Sequence, residues 1–110
     1  MSSHDLNREL FKTYGSVVPA GSSMPLVFLV RARTGHDAEQ LRTRFIAQEY
    51  DFVWLKRKWW SLARPWELAL KSVPITYSPE ALDAWTDAVD RELTPLEAEL
   101  THWVPVEVDA

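Results

Sequence analysis

The order of its periodic segments is the feature that most constrains how this chain can fold. Four segments show the two-residue alternation of β-strands, and two segments with apolar residues at helical spacing lie among them. We predict strands at 26–33, 51–57, 66–72 and 102–108, and helices at 37–50 and from 78 onward. A four-stranded antiparallel sheet with two helices on one face satisfies this order. The predicted class is therefore α+β, as a ferredoxin-like plait (βαββαβ) with a short N-terminal helix.

The first strand has two different faces. One face is apolar and consists of Leu26, Phe28, Val30 and Ala32. The other face begins with Val27 and Leu29 and ends with Arg31 and Arg33. Because successive side chains of a strand point to opposite faces, we expect the first set in the core and the second set to turn polar towards its end.

Capping residues mark the helix starts. Residues 34–37 supply cap chemistry for the helix at 37–50, in which Ile46 is predicted to turn inward. Ser78, Pro79 and Glu80 form a second helix start, with a cap, a proline in the first turn and an acid. The sequence from Thr94 to Glu97 has capping-box spacing around a proline and predicts a kink or a break followed by a restart.

Residues 5–14 have apolar side chains at helical spacing and predict a short helix ending near Gly15. Residues 15–25 are rich in small residues and are interpreted as a linker. We therefore divide the chain into 1–25, a helix and linker, and 26–110, a single ferredoxin-like domain. At 110 residues such a domain buries enough surface to fold without disulfide bonds or structural metal ions.

The chain has no cysteine, which excludes disulfides, thiol catalysis and thiolate metal sites. Its N-terminus lacks the layout of a signal peptide, and no apolar run approaches the length that spans a membrane. We expect a cytoplasmic protein that does not contact a membrane.

The net charge of −4 hides a division along the chain. Residues 31–64 carry eight cations and four acids, a sum of +4, whereas residues 78–110 carry nine acids and one cation, a sum of −8. Such a distribution favours oriented encounters with charged partners, or self-association of opposite faces, unless the charges intermix on folding.

The segment from Lys56 to Trp66 holds three of the six tryptophans and four of the twelve Lys and Arg residues. Three interpretations are open. In the first, one tryptophan lies in the core and the cations are ordinary loop residues. In the second, the segment is a protein interface. In the third, its tryptophans stack on bases while its cations contact phosphates. The candidate protein-binding residues here are Trp59, Trp60, Arg57 and Arg64. The acidity of the whole chain weighs against nucleic acid.

Three carboxylates of the last helix, Asp83, Asp87 and Asp90, share one helix face at spacings of four and three. Such a row is a solvated face, a surface for a basic partner or a cation site. No EF-hand or Glu-x-x-His spacing supports the metal. We include the three acids as protein-binding candidates and call them the acidic row.

No catalytic pattern accompanies these surfaces. His4, His36 and His102 stand apart, serines lack a nucleophile motif, and the three glycines form no phosphate-binding loop. We expect no enzymatic activity, no cofactor and no metal.

The span from Leu26 to Val108 resembles the RraB-like family, protein regulators of ribonuclease E. The likeness rests on the helix start 37–41, Tyr50 before a strand, the Trp60–Ser61 pair, Val73–Pro74 before the helix start at 78–82, and Trp103. The family's Gly-Gly and Asp-Gly-Trp elements are missing, since residues 99–103 read Glu-Leu-Thr-His-Trp. The resemblance implies a non-enzymatic, ferredoxin-like protein that binds a ribonuclease and lowers its activity.

The first hypothesis is accordingly a protein-binding regulator, an inhibitor of a ribonuclease or another enzyme through an acidic and aromatic surface. An immunity-type protein that neutralises a toxin has the same sequence properties, and a single-stranded nucleic-acid binder that uses the Trp and Arg residues is the third hypothesis. Self-association into a homo-oligomer through an edge strand is compatible with all three.

Overall fold

The computed structural model describes residues 3–48, 50–57, 65–96 and 98–106. In chain order these residues form α1 (Ser3–Tyr14), β1 (Ser23–Met24), β2 (Leu26–Ala32), α2 (Gly35–Ile46), β3 (Tyr50–Arg57), β4 (Trp66–Ser72), β5 (Ile75–Thr76), α3 (Pro79–Leu93) and β6 (Ala98–Pro105). Helices and antiparallel strands share one compact core, which confirms the predicted α+β class.

The four long strands form one antiparallel sheet in the order β3-β4-β2-β6. Strands β2 and β4, the first and third long strands of the chain, are therefore central, and β3 and β6 are the edges. β1 and β5 pair as a separate two-stranded sheet, with Ser23 opposite Thr76. This small sheet was not predicted, and it lies partly in the segment 15–25 that was interpreted as a linker.

Strand β2 occupies the centre of the core. Its residues Leu26, Phe28, Val30 and Ala32 are fully buried, as the alternation predicted. Trp103 of β6 lies opposite Phe28 and is also fully buried. Because burial of one large apolar side chain contributes roughly 1.5–3 kcal/mol, this face supplies much of the stabilisation of the sheet.

Helix α2 starts two residues before the predicted Asp37 and ends four residues before the predicted Tyr50. The Thr34 hydroxyl accepts the Asp37 N–H at 3.1 Å. The helix ends at Ile46, whose side chain is 56% exposed, so the prediction that it turns inward was wrong. The chain turns here because the Gln48 N–H bonds back to the Phe45 carbonyl, and Tyr50 then begins β3.

Helix α3 begins at Pro79, with the Ser78 hydroxyl accepting the Ala81 N–H at 3.2 Å. It ends at Leu93, which confirms the predicted break at the following proline. No helix restarts among the described residues after the break. Strand β6 instead begins at Ala98, four residues before the predicted start, because its first residues pair with the end of β2.

Helix α1 packs into the same core as the sheet. Its Leu10 is buried, and Phe11 stacks on Tyr77 with ring centroids 4.8 Å apart. Val18, which follows the helix, is buried as well. The residues before β2 therefore share one hydrophobic core with the sheet and the other helices.

Candidate protein-binding surfaces

The acidic row lies on α3, a helix with five acids and one cation and hence a net charge of −4. The neighbouring side of this helix is buried and carries Leu82, Thr86, Val89 and Leu93. Glu80 extends the row by one turn, because it lies three residues before Asp83. The sequence thus places four carboxylates along one side of α3, from its first turn almost to its end.

The first turn of α1 lies against this row. The Ser3 hydroxyl donates a hydrogen bond to Asp90. The ring nitrogen Nε2 of His4 lies 2.9 Å from Asp87 Oδ1, and its Nδ1 lies 3.8 Å from Asp83 Oδ2. The predicted acidic row is therefore formed, and it already holds the polar end of a neighbouring helix.

Asn7 connects the row to the core. Its side-chain amide donates to Asp83 at 2.9 Å and to the Thr86 hydroxyl at 2.8 Å. Its side-chain oxygen accepts the indole N–H of Trp103 at 2.8 Å. Asn7 is 2% exposed, so these three hydrogen bonds hold α1, α3 and β6 together without competition from water.

Part of the row remains open to solvent. The Asp87 side chain is 54% exposed and that of Asp83 is 31% exposed. A cleft between α1 and the start of α3 is lined by Asn7, Arg8, Phe11, Pro79, Glu80 and Asp83. A carboxylate accepts several hydrogen bonds, so Asp83 and Asp87 keep acceptor capacity beyond their contacts with α1.

The Trp- and Arg-rich segment is described only at its two ends. Arg57 ends β3 opposite Trp66 of β4, and its guanidinium carbon lies 5.5 Å from the centre of the Trp66 ring. This cation–π contact joins the last described pair of the two strands. Trp59, Trp60 and Arg64 lie outside the described residues, so their predicted roles stay predictions.

The sheet has a second face, which points away from the helices and is called the open face below. Its middle row runs across the four strands from Trp54 through Ala69 and Leu29 to His102. Trp54 is 40% exposed, a large value for a tryptophan in a strand. Trp54 was not among the binding residues predicted from the sequence. The alternation of β3 nevertheless places it on the opposite face of the strand from Val53 and Leu55.

Two tyrosines have perturbed acidity. Burial, reinforced by the charge of Glu92, raises the pKa of Tyr50 to about 12. Burial, and then interaction with Tyr14, raises the pKa of Tyr77, whose hydroxyl is buried with no hydrogen-bond partner among the described residues. Both phenols therefore keep their protons at neutral pH and are unsuited to act as general bases.

The three histidines lie in different surroundings. His4 contacts the acidic row, His102 bonds the Tyr14 hydroxyl at 3.1 Å, and His36 lies in the first turn of α2. Among the residues that the structure describes, no group of three His, Asp or Glu side chains has metal-binding geometry. None of the described helices is both long and apolar enough to cross a membrane.

No protein-family model, curated protein or solved structure matches this chain. The structure brings Asp83, Asp87 and Asp90 together on one surface with α1, and it places Arg57 at the end of β3. Sequence reasoning missed Asn7 and His4, the two residues of α1 that engage this row.

Proposed function

We propose that this protein is a small, non-enzymatic, protein-binding regulator that lowers the activity of a ribonuclease or a similar cationic enzyme. We also propose that its fold is a ferredoxin-like plait. The strand order β3-β4-β2-β6, with helices after the first and third long strands, supports the fold assignment. The resemblance of residues 26–108 to RraB-like regulators supports the choice of a ribonuclease.

The observation that carries the proposal is the line of carboxylates on α3, formed by Glu80, Asp83, Asp87 and Asp90. A nuclease binds a phosphate backbone with cationic side chains, and a row of acids at regular spacing offers the same cations an alternative anion. Asp87 and Glu80 are exposed at the rim of this surface and are the best placed to meet such cations. Complementary charge of this kind raises association rates and makes binding sensitive to salt.

The contacts of α1 support the view that the row can receive a helix. It takes hydrogen bonds from Ser3, His4 and Asn7, three polar groups within the first two turns of α1. A partner that presents Arg or Lys side chains would meet the carboxylate oxygens that α1 leaves exposed. The predicted anchors Trp59 and Trp60 supply a second, aromatic contact in this proposal, since tryptophan is enriched among interface residues that dominate binding energy.

Inhibition of a purified ribonuclease of the E type, measured on a single-stranded oligonucleotide, tests the proposal. The variant Glu80→Gln/Asp87→Asn removes two charges from the acidic surface, whereas the control Glu39→Gln/Asp51→Asn removes two exposed charges elsewhere. We expect the first variant to need at least about tenfold more protein for half-inhibition, and the control to behave like the unchanged chain. Equal inhibition by both variants, or no inhibition by the unchanged chain at about 100 µM, would reject the proposal.

A second variant tests the aromatic contact. We expect Trp59→Ala/Trp60→Ala to weaken inhibition, because loss of two tryptophan anchors commonly costs more than 2 kcal/mol of binding free energy. The exposed pair Val17→Ala/Ile46→Ala is its control, since it also removes exposed apolar groups. If both pairs of substitutions have the same small effect, the aromatic segment is not part of the interface.

Direct binding of single-stranded nucleic acid is the alternative with one supporting observation, the exposed Trp54 beside Lys56 on the open face. The acids Glu67 and Glu99 lie in the same row as Lys56 and would repel phosphates. Quenching of tryptophan fluorescence by an oligonucleotide at low salt separates this alternative from the protein-binding proposal, which predicts no quenching.

A further inference from the structure

The open face carries a row of four charged residues that alternate in sign from one edge of the sheet to the other. The row runs from Lys56 on β3 through Glu67 on β4 and Arg31 on β2 to Glu99 on β6. Residues directly opposite each other in antiparallel strands share a face, so the four side chains lie side by side. Arg31 Nε lies 3.6 Å from Glu67 Oε2, which shows that neighbours in the row pair.

The rest of the open face is largely apolar. Beside the charged row lies the middle row from Trp54 to His102, and beyond it a row in which Val27 stands between Lys71 and Val104. Trp54 and Val104 are 40% and 36% exposed. The buried residues of the helices pack on the other face of the sheet, and α1 meets this face at its β6 edge, where the Tyr14 hydroxyl bonds His102 at 3.1 Å.

We propose that the open face is a homodimer interface, in which two copies of this chain stack face to face about a two-fold axis parallel to the strands. This axis lays β3 of one copy over β6 of the other, and β4 over β2. Each charge of this row then meets an opposite charge: Lys56 meets Glu99 of the second copy, and Glu67 meets its Arg31. The alternating row is thus its own complement, which is the requirement for an isologous interface.

The middle row matches under the same axis, and in the row beyond it Lys71 of one copy lies over Val27 of the other. Leu29 lies over Ala69 of the second copy, which is 1% exposed within its own chain, and Trp54 meets His102. Sheets that pack face to face keep their strands within about 30° of each other, and this axis gives that arrangement. An in-plane axis perpendicular to the strands would instead set Arg31 against Val27 and Glu99 against Val104 of the second copy, so these charges would face apolar side chains.

The size of the face sets the strength of the dimer. Four strands about 4.8 Å apart and about 27 Å long make a face of roughly 500 Å². Two such faces bury about 1,000 Å², which is near the lower limit for a specific protein interface. We therefore expect a reversible dimer with a dissociation constant in the micromolar range, weakened by salt. The acidic row is on α3, behind the sheet, and stays accessible in this dimer.

Sedimentation velocity from about 1 to 500 µM tests the proposal through charge swaps. Lys56→Glu and Glu99→Lys should each weaken dimerisation at least tenfold, because each substitution places two like-charge contacts in the symmetric interface. The double variant Lys56→Glu/Glu99→Lys restores opposite charges across the proposed axis and should recover most of the affinity. Arg42→Glu, an exposed swap on α2, should leave dimerisation unchanged, and circular dichroism should show that all variants are folded.

Three results would overturn the proposal. The first is a monomer over the whole concentration range. The second is self-association that the single swaps leave unchanged, or that the double variant fails to restore. The third is a monomer that binds an oligonucleotide in a manner abolished by Trp54→Ser, since the open face would then serve nucleic acid.

Discussion

Replacement of Asn7 by alanine tests whether α1 is an integral part of the fold. The substitution leaves the Trp103 indole N–H buried without a partner, because Trp103 is fully buried and Asn7 is its acceptor at 2.8 Å. An unsatisfied buried donor costs about 2 kcal/mol, and the lost hydrogen bonds to Asp83 and Thr86 cost about 1 kcal/mol each. The better helix propensity of alanine returns about 0.6 kcal/mol. We expect the free energy of unfolding to fall by about 3 kcal/mol.

Urea unfolding followed by circular dichroism measures this change. With a denaturant dependence of about 2 kcal/mol per molar urea, the midpoint should fall by about 1.5 M. Arg8→Ala is the control in the same turn, since the Arg8 side chain is 70% exposed and pairs with exposed Asp5, and its effect should stay below about 0.5 kcal/mol. If Asn7→Ala and Arg8→Ala have the same effect, α1 does not dock as described.

Two further predictions concern pH and backbone conformation. The pKa of Tyr50 is about 12 in the folded protein, whereas its ordinary value is 10.0. Between these two pH values the folded state keeps the phenol proton and the unfolded state loses it. The free energy of unfolding should therefore fall by up to about 2 kcal/mol as pH rises from about 10 to about 12. Urea unfolding should show this fall in the unchanged chain and a smaller one in Tyr50→Phe; identical pH profiles would contradict the assignment. Gly21 has a φ of 85°, and there is open space where a Cβ would point. Gly21→Ala should therefore lower the free energy of unfolding by about 1–2 kcal/mol through backbone strain alone. An unchanged melting temperature would contradict this prediction.

The sequence predicted the parts of the fold that depend on local patterns. The alternation of β2 identified its buried face, and the side chains of Thr34 and Ser78 marked two helix starts because each accepts a backbone N–H there. These signals depend only on neighbouring residues. Contacts between distant residues overrode local signals elsewhere: the capping-box spacing at 94–97 favoured a restarted helix, but pairing with β2 draws residues from Ala98 onward into β6.

The sequence pattern identified the acidic row, but it did not identify Asn7, which contacts this row. Asn7 lies in the helical stripe that includes Leu10, Phe11 and Tyr14, and a single amide among apolar residues was a usable sign of a buried polar contact. Its partners Thr86 and Trp103 are about 80 and 96 residues away, so no local rule identifies them. The alternating charges of the open face likewise appear only when the strand register is known.

Amide NMR spectra recorded while unlabelled ribonuclease is added to labelled protein show where on this protein the enzyme binds. We expect the resonances of α1 and α3 around Asp83 and Asp87 to shift or broaden first, and these changes to diminish as salt is raised. Changes confined to the open face, around Leu29 and Trp54, or an unchanged spectrum at saturating ribonuclease, would contradict the claim that the acidic surface binds the enzyme.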